Sequence, residues 1–376
     1  MRREKIGDLL LKFSRKERVP QSEFAPSGET PIVDQSSGTL VVGYTDNPDA
    51  RHEYPLPITV FGDHTRQVKY VDFPFASGAD GTQLLYPNKQ DVDPTYFFYA
   101  VKNVDLSNYF YARHFKFLKE QQINIPTPHI QSRIADTLKG YDDLIENNRR
   151  RMALLEEAAR QLYREWFVRL RFPGHEHTLI TNGVPEGWSR VPTPEAIEMN
   201  PLTRLSDETE HWSVEMADLP TDGMVIQQAT KREGRSGSKF RNGDTLFARI
   251  TPCLENGKTA FVDFLEDGET ARGSTEFIVL RGKRVTPEYV YCLARTHDFR
   301  GNAIKSMVGS SGRQRVQESC FEKFLVLVPT DTLLDLFTDY VRPHFRQIKT
   351  LHAQSQKLRA ARDLLLPRLM NGEIAI

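Results

Sequence analysis

The sequence predicts an α+β fold in which two mixed α/β domains are joined by two long helices that form an antiparallel coiled coil. Three observations lead to this prediction. Residues 134–166 and 337–369 repeat apolar residues in alternating steps of three and four, which is the pattern of an amphipathic helix. Each of these segments follows a short apolar run that ends in proline, at Pro126 and at Pro329. A stretch with short strand-like runs precedes each copy.

The elements follow one another in five segments. Residues 1–127 form the first α/β domain, with strands predicted at 39–44, 58–61 and 67–73. Residues 128–172 form the first helix, and a polar linker follows at 173–187. Residues 188–329 form the second α/β domain, with strands predicted at 223–228, 243–250 and 275–280. Residues 330–376 contain the second helix, which Asn371 and Gly372 are expected to cap.

Both helices need a partner along their length. Each is about 54 Å long at 1.5 Å per residue, and a seam with this spacing requires a facing apolar stripe. Pairing the two helices with each other, antiparallel, satisfies both and places the domains at opposite ends of a rod. The alternative is that each helix packs on its own domain. Pro343 is expected to kink the second helix or to end a first segment of it.

The composition is that of an ordinary globular protein, with 39% hydrophobic and 27% charged residues. Lys plus Arg and Asp plus Glu both total 50, so the net charge neither favours nor excludes nucleic acid binding. No apolar run approaches a membrane span, and the N-terminal residues do not have the pattern of a signal peptide. Three scattered cysteines suit a reducing compartment. We therefore predict a cytoplasmic protein without a disulfide framework.

Positive charge is concentrated in the second α/β domain. Residues 231–258 contain seven basic and three acidic residues, and residues 295–315 contain five basic residues and one acidic residue. The second cluster ends in the sequence Gly-Arg-Gln-Arg, and because Arg can bond guanine and Gln adenine bidentately, this loop suits a DNA groove. The alternative is a solvated surface loop. The candidate DNA-contacting residues of this domain are Arg249, Lys258, Ser311, Arg313, Gln314 and Arg315.

The first domain is not basic overall, and its signal for DNA contact is weaker. The segment after the strand predicted at 58–61 carries the candidates His64, Arg66 and Lys69. A second set contains Arg113 and two lysines among aromatic residues that are expected to be core, because duplex DNA offers them little to stack on. The sequence leaves open which of these residues contact DNA.

No catalytic constellation and no metal site can be assembled from the sequence. Residues 257–259 resemble the end of a phosphate-binding loop, but the position of its required first glycine is Pro252. The Asn-Pro-Pro-aromatic tetrad of amino-methyltransferases is absent, and so is a Glu-x-Lys or Asp-x-Lys pair typical of nucleases. The sequence therefore predicts a chain that is not itself an enzyme.

Local motifs carry a family signature. In the first helix these are Ile-Ala-Asp-Thr-Leu at 134–138, Asp-Leu-Ile-Glu-Asn-Asn at 143–148 and Leu-Tyr-Arg-Glu-Trp-Phe at 162–167. Further motifs lie at 243–251, 274–277 and 312–316. In these motifs the chain resembles the specificity subunits of type I restriction-modification enzymes. The resemblance covers essentially the whole length and implies two target recognition domains separated by two helices.

The resemblance also implies a function. Each target recognition domain would bind one half of a split, asymmetric site in double-stranded DNA, and the helices would set the distance between the halves. The helices would carry two DNA methyltransferase subunits that use S-adenosylmethionine, and restriction subunits that use ATP and Mg²⁺ would complete the complex. No cofactor is expected in this chain. The residues expected to support helix pairing and partner binding are Ile145, Leu155, Leu162, Tyr163, Trp166, Phe167, Ile348, Leu358 and Leu365.

Two other functions remain open at the level of sequence. A self-contained DNA-modifying or DNA-cleaving enzyme would need a carboxylate-metal centre or a cofactor pocket. A coiled-coil adaptor without a role on DNA would leave the basic loop of the second domain unexplained.

Overall fold

The computed structural model describes residues 2–13, 16–53, 55–78, 81–109, 113–310 and 312–376. The chain divides into two compact units, which we call unit 1 (residues 1–145 and 357–376) and unit 2 (residues 146–356). Each unit contains one of the predicted α/β domains and one end of each long helix. The helices are α1 (Pro94–Lys102), α2 (His114–Glu120), α3 (Pro128–Tyr163), α4 (Thr193–Ala196), α5 (Pro287–Ala294), α6 (His297–Lys305) and α7 (Asp331–Asn371).

Unit 1 is built from short strands in small sheets. The strands are β1 (Arg2–Lys5), β2 (Thr30–Val33), β3 (Gly43–Thr45), β4 (Arg51–His52), β5 (Ile58–Gly62), β6 (Val68–Val71), β7 (Phe75–Ser77), β8 (Thr82–Leu85) and β9 (Gln122–Ile125). One sheet pairs β1 and β9 antiparallel, a second has the order β3-β2-β7-β4, and a third has the order β6-β5-β8.

Unit 2 begins with a small hairpin, β10 (Ile180–Thr181) and β11 (Val184–Pro185), inside the predicted linker. The remaining strands are β12 (Ser189–Pro192), β13 (Ile197–Met199), β14 (Glu210–Val214), β15 (Thr230–Glu233), β16 (Ser238–Arg241), β17 (Thr245–Ala248), β18 (Thr259–Phe261), β19 (Thr270–Gly273), β20 (Phe277–Gly282) and β21 (Leu325–Val328). The larger sheets of this unit have the orders β15-β14-β19-β16 and β13-β20-β17-β18, and β12 pairs with β21.

The two units share one strand topology. In unit 1, β2 is parallel to β7 and lies between β3 and β7; in unit 2, β14 is parallel to β19 and lies between β15 and β19. The central strands β5 and β17 each pair antiparallel with the following strand and with a later one, β8 or β20. The last strand of each unit, β9 or β21, pairs antiparallel with β1 or β12 and leads through a proline into α3 or α7. The predicted duplication therefore extends from the helices to the sheets.

The predicted antiparallel helix pair is confirmed. In unit 1, Ile134 and Leu138 of α3 share a core with Leu366 and Leu369 of α7. In unit 2, the end of α3 continues into a π-helical turn, Arg164–Val168, whose Trp166 ring lies 6.0 Å from the ring of Phe337. The start of α3 thus packs on the end of α7, and the end of α3 packs on the start of α7. Each helix also packs on its α/β domain, as the alternative proposed.

The ends and the interior of α7 follow local rules with one exception. Gly372 has φ +74°, its N–H donates to the Leu369 carbonyl at 3.2 Å, and the predicted cap is confirmed. The expectation that Pro343 ends a first segment is wrong, because α7 runs through it unbroken. Pro343 and Asp339 are both exposed, so water can satisfy the Asp339 carbonyl that loses its helical hydrogen bond.

The strand predictions met mixed outcomes. Strands β5, β6, β17 and β20 lie where strands were predicted, whereas the segment at 39–44 contributes only the start of β3. The prediction for residues 223–228 is wrong, since this segment forms no strand. Its apolar residues Met224 and Ile226 are buried from a loop instead, so this apolar run reflects core packing and not strand pairing. None of the described helices is both long and apolar enough to cross a lipid bilayer.

Candidate nucleic-acid interface

The loop that carries Arg315 in unit 2 is a short hairpin anchored to the end of β17. The N–H of Arg315 donates to the Val308 carbonyl at 2.9 Å, and the Val308 N–H donates back at 3.1 Å. The neighbouring Gln314 exchanges two further bonds with Thr251, at 3.0 Å each. Gly312 at the tip has φ +77°, a conformation that favours glycine. The backbone of Gln314 and Arg315 is therefore fixed, while the tip is exposed.

Glu276 holds the Arg315 side chain. Nε of Arg315 donates to both carboxylate oxygens at 3.0 Å and Nη2 donates at 2.6 Å, with the Arg315 side chain 48% exposed. The bonds from Arg315 lower the pKa of the Glu276 carboxyl. Glu276 binds the Nε–Nη2 edge of the guanidinium, so the Nη1–Nη2 edge stays available. That edge is a fork with the geometry that bonds O6 and N7 of guanine.

The other candidates of unit 2 differ in accessibility. Arg249 donates to Glu318 at 3.0 Å, and Lys258 donates to the Met216 carbonyl at 2.6 Å. Arg313 is exposed. Ser311 lies outside the described residues. Arg313 and Arg315 are therefore the predicted cations that extend into solvent, whereas Arg249 and Lys258 also stabilise the domain.

The three candidates of unit 1 do not form an open cluster. Lys69 forms an ion pair with Asp34 at 3.5 Å, its side chain is only 9% exposed, and burial lowers its pKa. Arg66 donates to the Leu106 carbonyl at 3.0 Å, and His64 is exposed beside it in the turn. The internal bonds of Lys69 and Arg66 account for these residues without DNA, so their DNA contact remains a prediction.

The residues expected to bind partner subunits lie mostly inside the chain. Ile145, Tyr163, Trp166, Phe167 and Ile348 are buried, and the other four predicted residues (Leu155, Leu162, Leu358 and Leu365) are half-buried. All of them except Ile145 and Leu358 belong to the cores in which the helices pack on each other and on the domains. The long helices also carry exposed apolar side chains, among them Leu144, Leu154 and Leu364, which are 52%, 71% and 65% exposed.

Sequence reasoning missed a basic cleft in unit 1. The cleft has a volume of about 880 Å³. Among the described residues that line it there is no Asp or Glu, and Arg18 donates to the Thr82 carbonyl at 3.1 Å. Burial lowers the pKa of the His52 imidazole in this cleft, and the charges of Lys16 and Arg18 lower it further. The cationic or imidazole residues lining the cleft are Lys12, Lys16, Arg18, His52 and Lys119.

Unit 2 has a basic cleft in the corresponding place. Its volume is about 620 Å³, and a single carboxylate, that of Asp207, lies among its described lining residues. The cleft is lined by positions on β16 and β20, as that of unit 1 is lined by positions on β4 and β8. The register matches as well, since Thr82 pairs with Gly62 and Phe277 pairs with Ala248 at the start of these strands. The cations lining it are Arg204, Arg235, Lys239 and Arg249.

The sequence signal for both clefts is weak, because their cations come from separated segments. Lys12 and Lys119, for example, lie more than a hundred positions apart and meet only through the fold. In unit 2, Arg204 lies outside the basic cluster at 231–258 in the sequence and joins its cations only in the folded chain. Two concave surfaces with clustered cations have the electrostatics that bind a polyanion.

Comparison with known proteins matches this architecture. The family model for the type I restriction modification DNA specificity domain matches residues 3–157. The MjaIX type I restriction enzyme specificity subunit of Methanocaldococcus jannaschii is 24% identical over 280 residues, which cover 69% of this chain and 62% of that protein. Over these residues the chain is similar to type I restriction enzyme specificity subunits.

Two further proteins resemble this chain, one in sequence and one in fold. The EcoEI type I restriction enzyme specificity subunit of Escherichia coli is 31% identical over 156 residues, covering 40% of this chain and 26% of that protein. The chain thus spans less than two thirds of the length of these two curated relatives. A solved type I restriction-modification S subunit from M. genitalium has the same fold, with a TM-score of 0.55 at 15% identity over 98% of this chain and 96% of that one.

Proposed function

We propose that this chain is the non-catalytic DNA-recognition subunit of a type I restriction-modification complex. Unit 1 and unit 2 would each act as a target recognition domain and read one half of a bipartite, asymmetric site in double-stranded DNA. The observation that carries the proposal is a basic cleft at the same topological position in both units. Contacts from such clefts to phosphates supply affinity and register, and contacts from side chains such as Arg315 to base edges supply specificity.

The same proposal assigns partners and cofactors. Two DNA methyltransferase subunits would bind along α3 and α7, where Leu144, Leu154 and Leu364 are exposed apolar side chains, and restriction and translocase subunits would bind the resulting complex. S-adenosylmethionine, ATP and Mg²⁺ would be used by those partners and not by this chain. A cytoplasmic location fits DNA as the ligand and the three free cysteines.

The clefts give the test of DNA binding. We compare the wild-type chain, in complex with its methyltransferase subunits, with Lys12→Ala/Lys16→Ala in unit 1 and Arg204→Ala/Lys239→Ala in unit 2. Fluorescence anisotropy over a series of salt concentrations measures affinity for duplexes. Each lost phosphate contact should weaken binding to all sequences and reduce the salt slope by about 1.

An exposed arginine outside the clefts supplies the control. Arg3→Ala in β1 removes the same kind of charge and should leave the salt slope unchanged. Unchanged affinity in both cleft variants would contradict the proposal. Methylation or cleavage of DNA by this chain alone would favour the alternative of a self-contained enzyme.

A further inference from the structure

Unit 1 lacks a Gly-Arg-Gln-Arg loop, so the residue that corresponds to Arg315 must be found from the backbone. In unit 2, the residue directly after β17 is Arg249. Its N–H donates to the Glu276 carbonyl at 3.0 Å, and its carbonyl accepts from the Val316 N–H at 2.9 Å. Arg249 is thus bonded to Glu276 through its N–H and to Val316 through its carbonyl. Arg315 is the residue immediately before Val316.

The same connection exists in unit 1. The residue directly after β5 is Asp63, whose N–H donates to the Gly81 carbonyl at 2.7 Å and whose carbonyl accepts from the His114 N–H at 2.9 Å. Gly81 immediately precedes β8, as Glu276 immediately precedes β20. The residue immediately before His114 is Arg113, which thus occupies the backbone position of Arg315.

We propose that Arg113 is the base-reading arginine of unit 1 and the counterpart of Arg315 in unit 2. This inference rests on the proposed function. Arg113 is exposed, and its side chain forms no cap bond at the start of α2, although it is the residue that precedes this helix. The chemistry it would recognise is a purine edge with two acceptors, as in guanine O6 and N7.

The two arginines differ in how they are held. Glu276, which holds Arg315, is replaced by Gly81 in unit 1. Gly81 has φ +90°, and a Cβ there would lie 2.8 Å from Cδ of Gln35, so a carboxylate cannot be added without displacing that side chain. Arg113 is the unclamped version of the same reader and would become ordered when it binds DNA, at an entropic cost that Arg315 largely avoids.

The test compares the two arginines in the same complex. The wild-type chain, Arg113→Ala, Arg113→Lys and Arg315→Ala, each assembled with the methyltransferase subunits, methylate a library of duplexes with randomised half-sites. Arg113→Ala should reduce the preference for one base pair in one half-site by about ten-fold or more, and Arg315→Ala should do so in the other half-site. Arg113→Lys keeps the charge without the planar fork, so it should retain overall affinity and still lose the preference.

The outcomes separate this inference from the proposed function. A wild-type complex without sequence preference would overturn both. A selective wild type in which Arg315→Ala relaxes one half-site, while both Arg113 variants keep the other half unchanged, would overturn only the assignment of Arg113. Arg3→Ala controls for loss of a charge in unit 1, and thermal unfolding of each variant checks that it is folded.

Discussion

Two corresponding sheets, one in unit 1 and one in unit 2, carry different side chains at one equivalent pair of positions. Asp244, the residue before β17, faces Arg281 of β20, and the two form an ion pair with both contacts at 2.7 Å in which the Asp244 side chain is buried. The register of β5 and β8 puts Ile58 and Tyr86 in the same two places. Ile58 is 3% exposed and packs in an apolar cluster with Tyr86 beside it. The fold therefore accepts either an ion pair or an apolar pair here.

The ion pair is therefore not required for this topology. A buried ion pair stabilises a protein only while both charges are present, because each has lost its hydration. Asp244 also accepts the N–H of Arg241 at 2.8 Å, and Arg281 also donates to the Thr203 hydroxyl at 3.0 Å. Unit 2 thus makes a local network at a place where unit 1 makes a hydrophobic contact, and the two solutions can be exchanged by mutation.

The largest expected effect is that of breaking the pair on one side. Asp244→Ala leaves the Arg281 charge uncompensated in a site where its side chain is 14% exposed, and should reduce the free energy of unfolding by about 3–5 kcal/mol. The double variant Asp244→Ile/Arg281→Tyr copies the pair of unit 1 and should recover most of that loss. Urea unfolding monitored by circular dichroism measures both.

The matched control is Ile58→Ala in unit 1, which removes apolar volume without leaving a charge. It should reduce the free energy of unfolding by about 2–4 kcal/mol, less than Asp244→Ala does. A double variant no more stable than Asp244→Ala would show that the two units do not share this position, and the comparison would fail.

The sequence predicted the parts of this architecture that depend on local periodicity. The seams of α3 and α7 are visible because their spacing recurs within each turn, and the capping Gly372 is adjacent to the helix it ends. The sequence places the segment that begins at Arg113 where unit 2 has its Gly-Arg-Gln-Arg loop, but it does not match Arg113 to Arg315, because that match depends on hydrogen bonds to Asp63 and Arg249, far away in the chain. The two basic clefts could not be predicted from the sequence either, because their cations come from segments that are far apart in the chain.

The failed strand at 223–228 shows the opposite limit. Three apolar residues follow one another there, as they can in a strand, yet Met224 and Ile226 are buried from a loop, and the Met224 carbonyl accepts the Phe261 N–H at 2.9 Å. A short apolar run reports burial but not whether a neighbouring strand is present to pair with it.

A smaller effect is expected from Glu276, the clamp that unit 1 lacks. Glu276→Ala frees the Arg315 side chain, and ordering it again on DNA should reduce the preference for its base pair by about 1 kcal/mol. Removal of a carboxylate from the same surface should slightly strengthen binding to random duplexes. Competition titrations with matched and mismatched duplexes measure the two quantities.

Glu276→Gln keeps one acceptor for Arg315 and should retain part of the preference, which makes it the control for charge alone. If Glu276→Ala leaves the preference intact, the carboxylate does not position Arg315, and the two units read DNA in the same way.

The smallest expected change in stability concerns two aspartates that hold equivalent positions in the two units. Thr59 pairs with Tyr70 and Thr245 pairs with Phe261, so Asp72 and Asp263, two residues further along, correspond. Asp72 is exposed. Burial raises the pKa of the Asp263 carboxyl from 3.8 to about 6, although attraction to Lys349 opposes the shift.

The folded state therefore holds the Asp263 proton more tightly than the unfolded state. The stability that this group contributes is present below about pH 4 and is lost as the pH rises through about 6. Asp263→Asn should flatten the stability profile across this window and stabilise the protein by about 1 kcal/mol at pH 7.5, as measured by urea unfolding at successive pH values. Asp72→Asn is the control for the loss of an exposed carboxylate at the corresponding position. Equal slopes for the wild type and Asp263→Asn would show that Asp263 is as well hydrated as Asp72, and that the two units do not differ at this position.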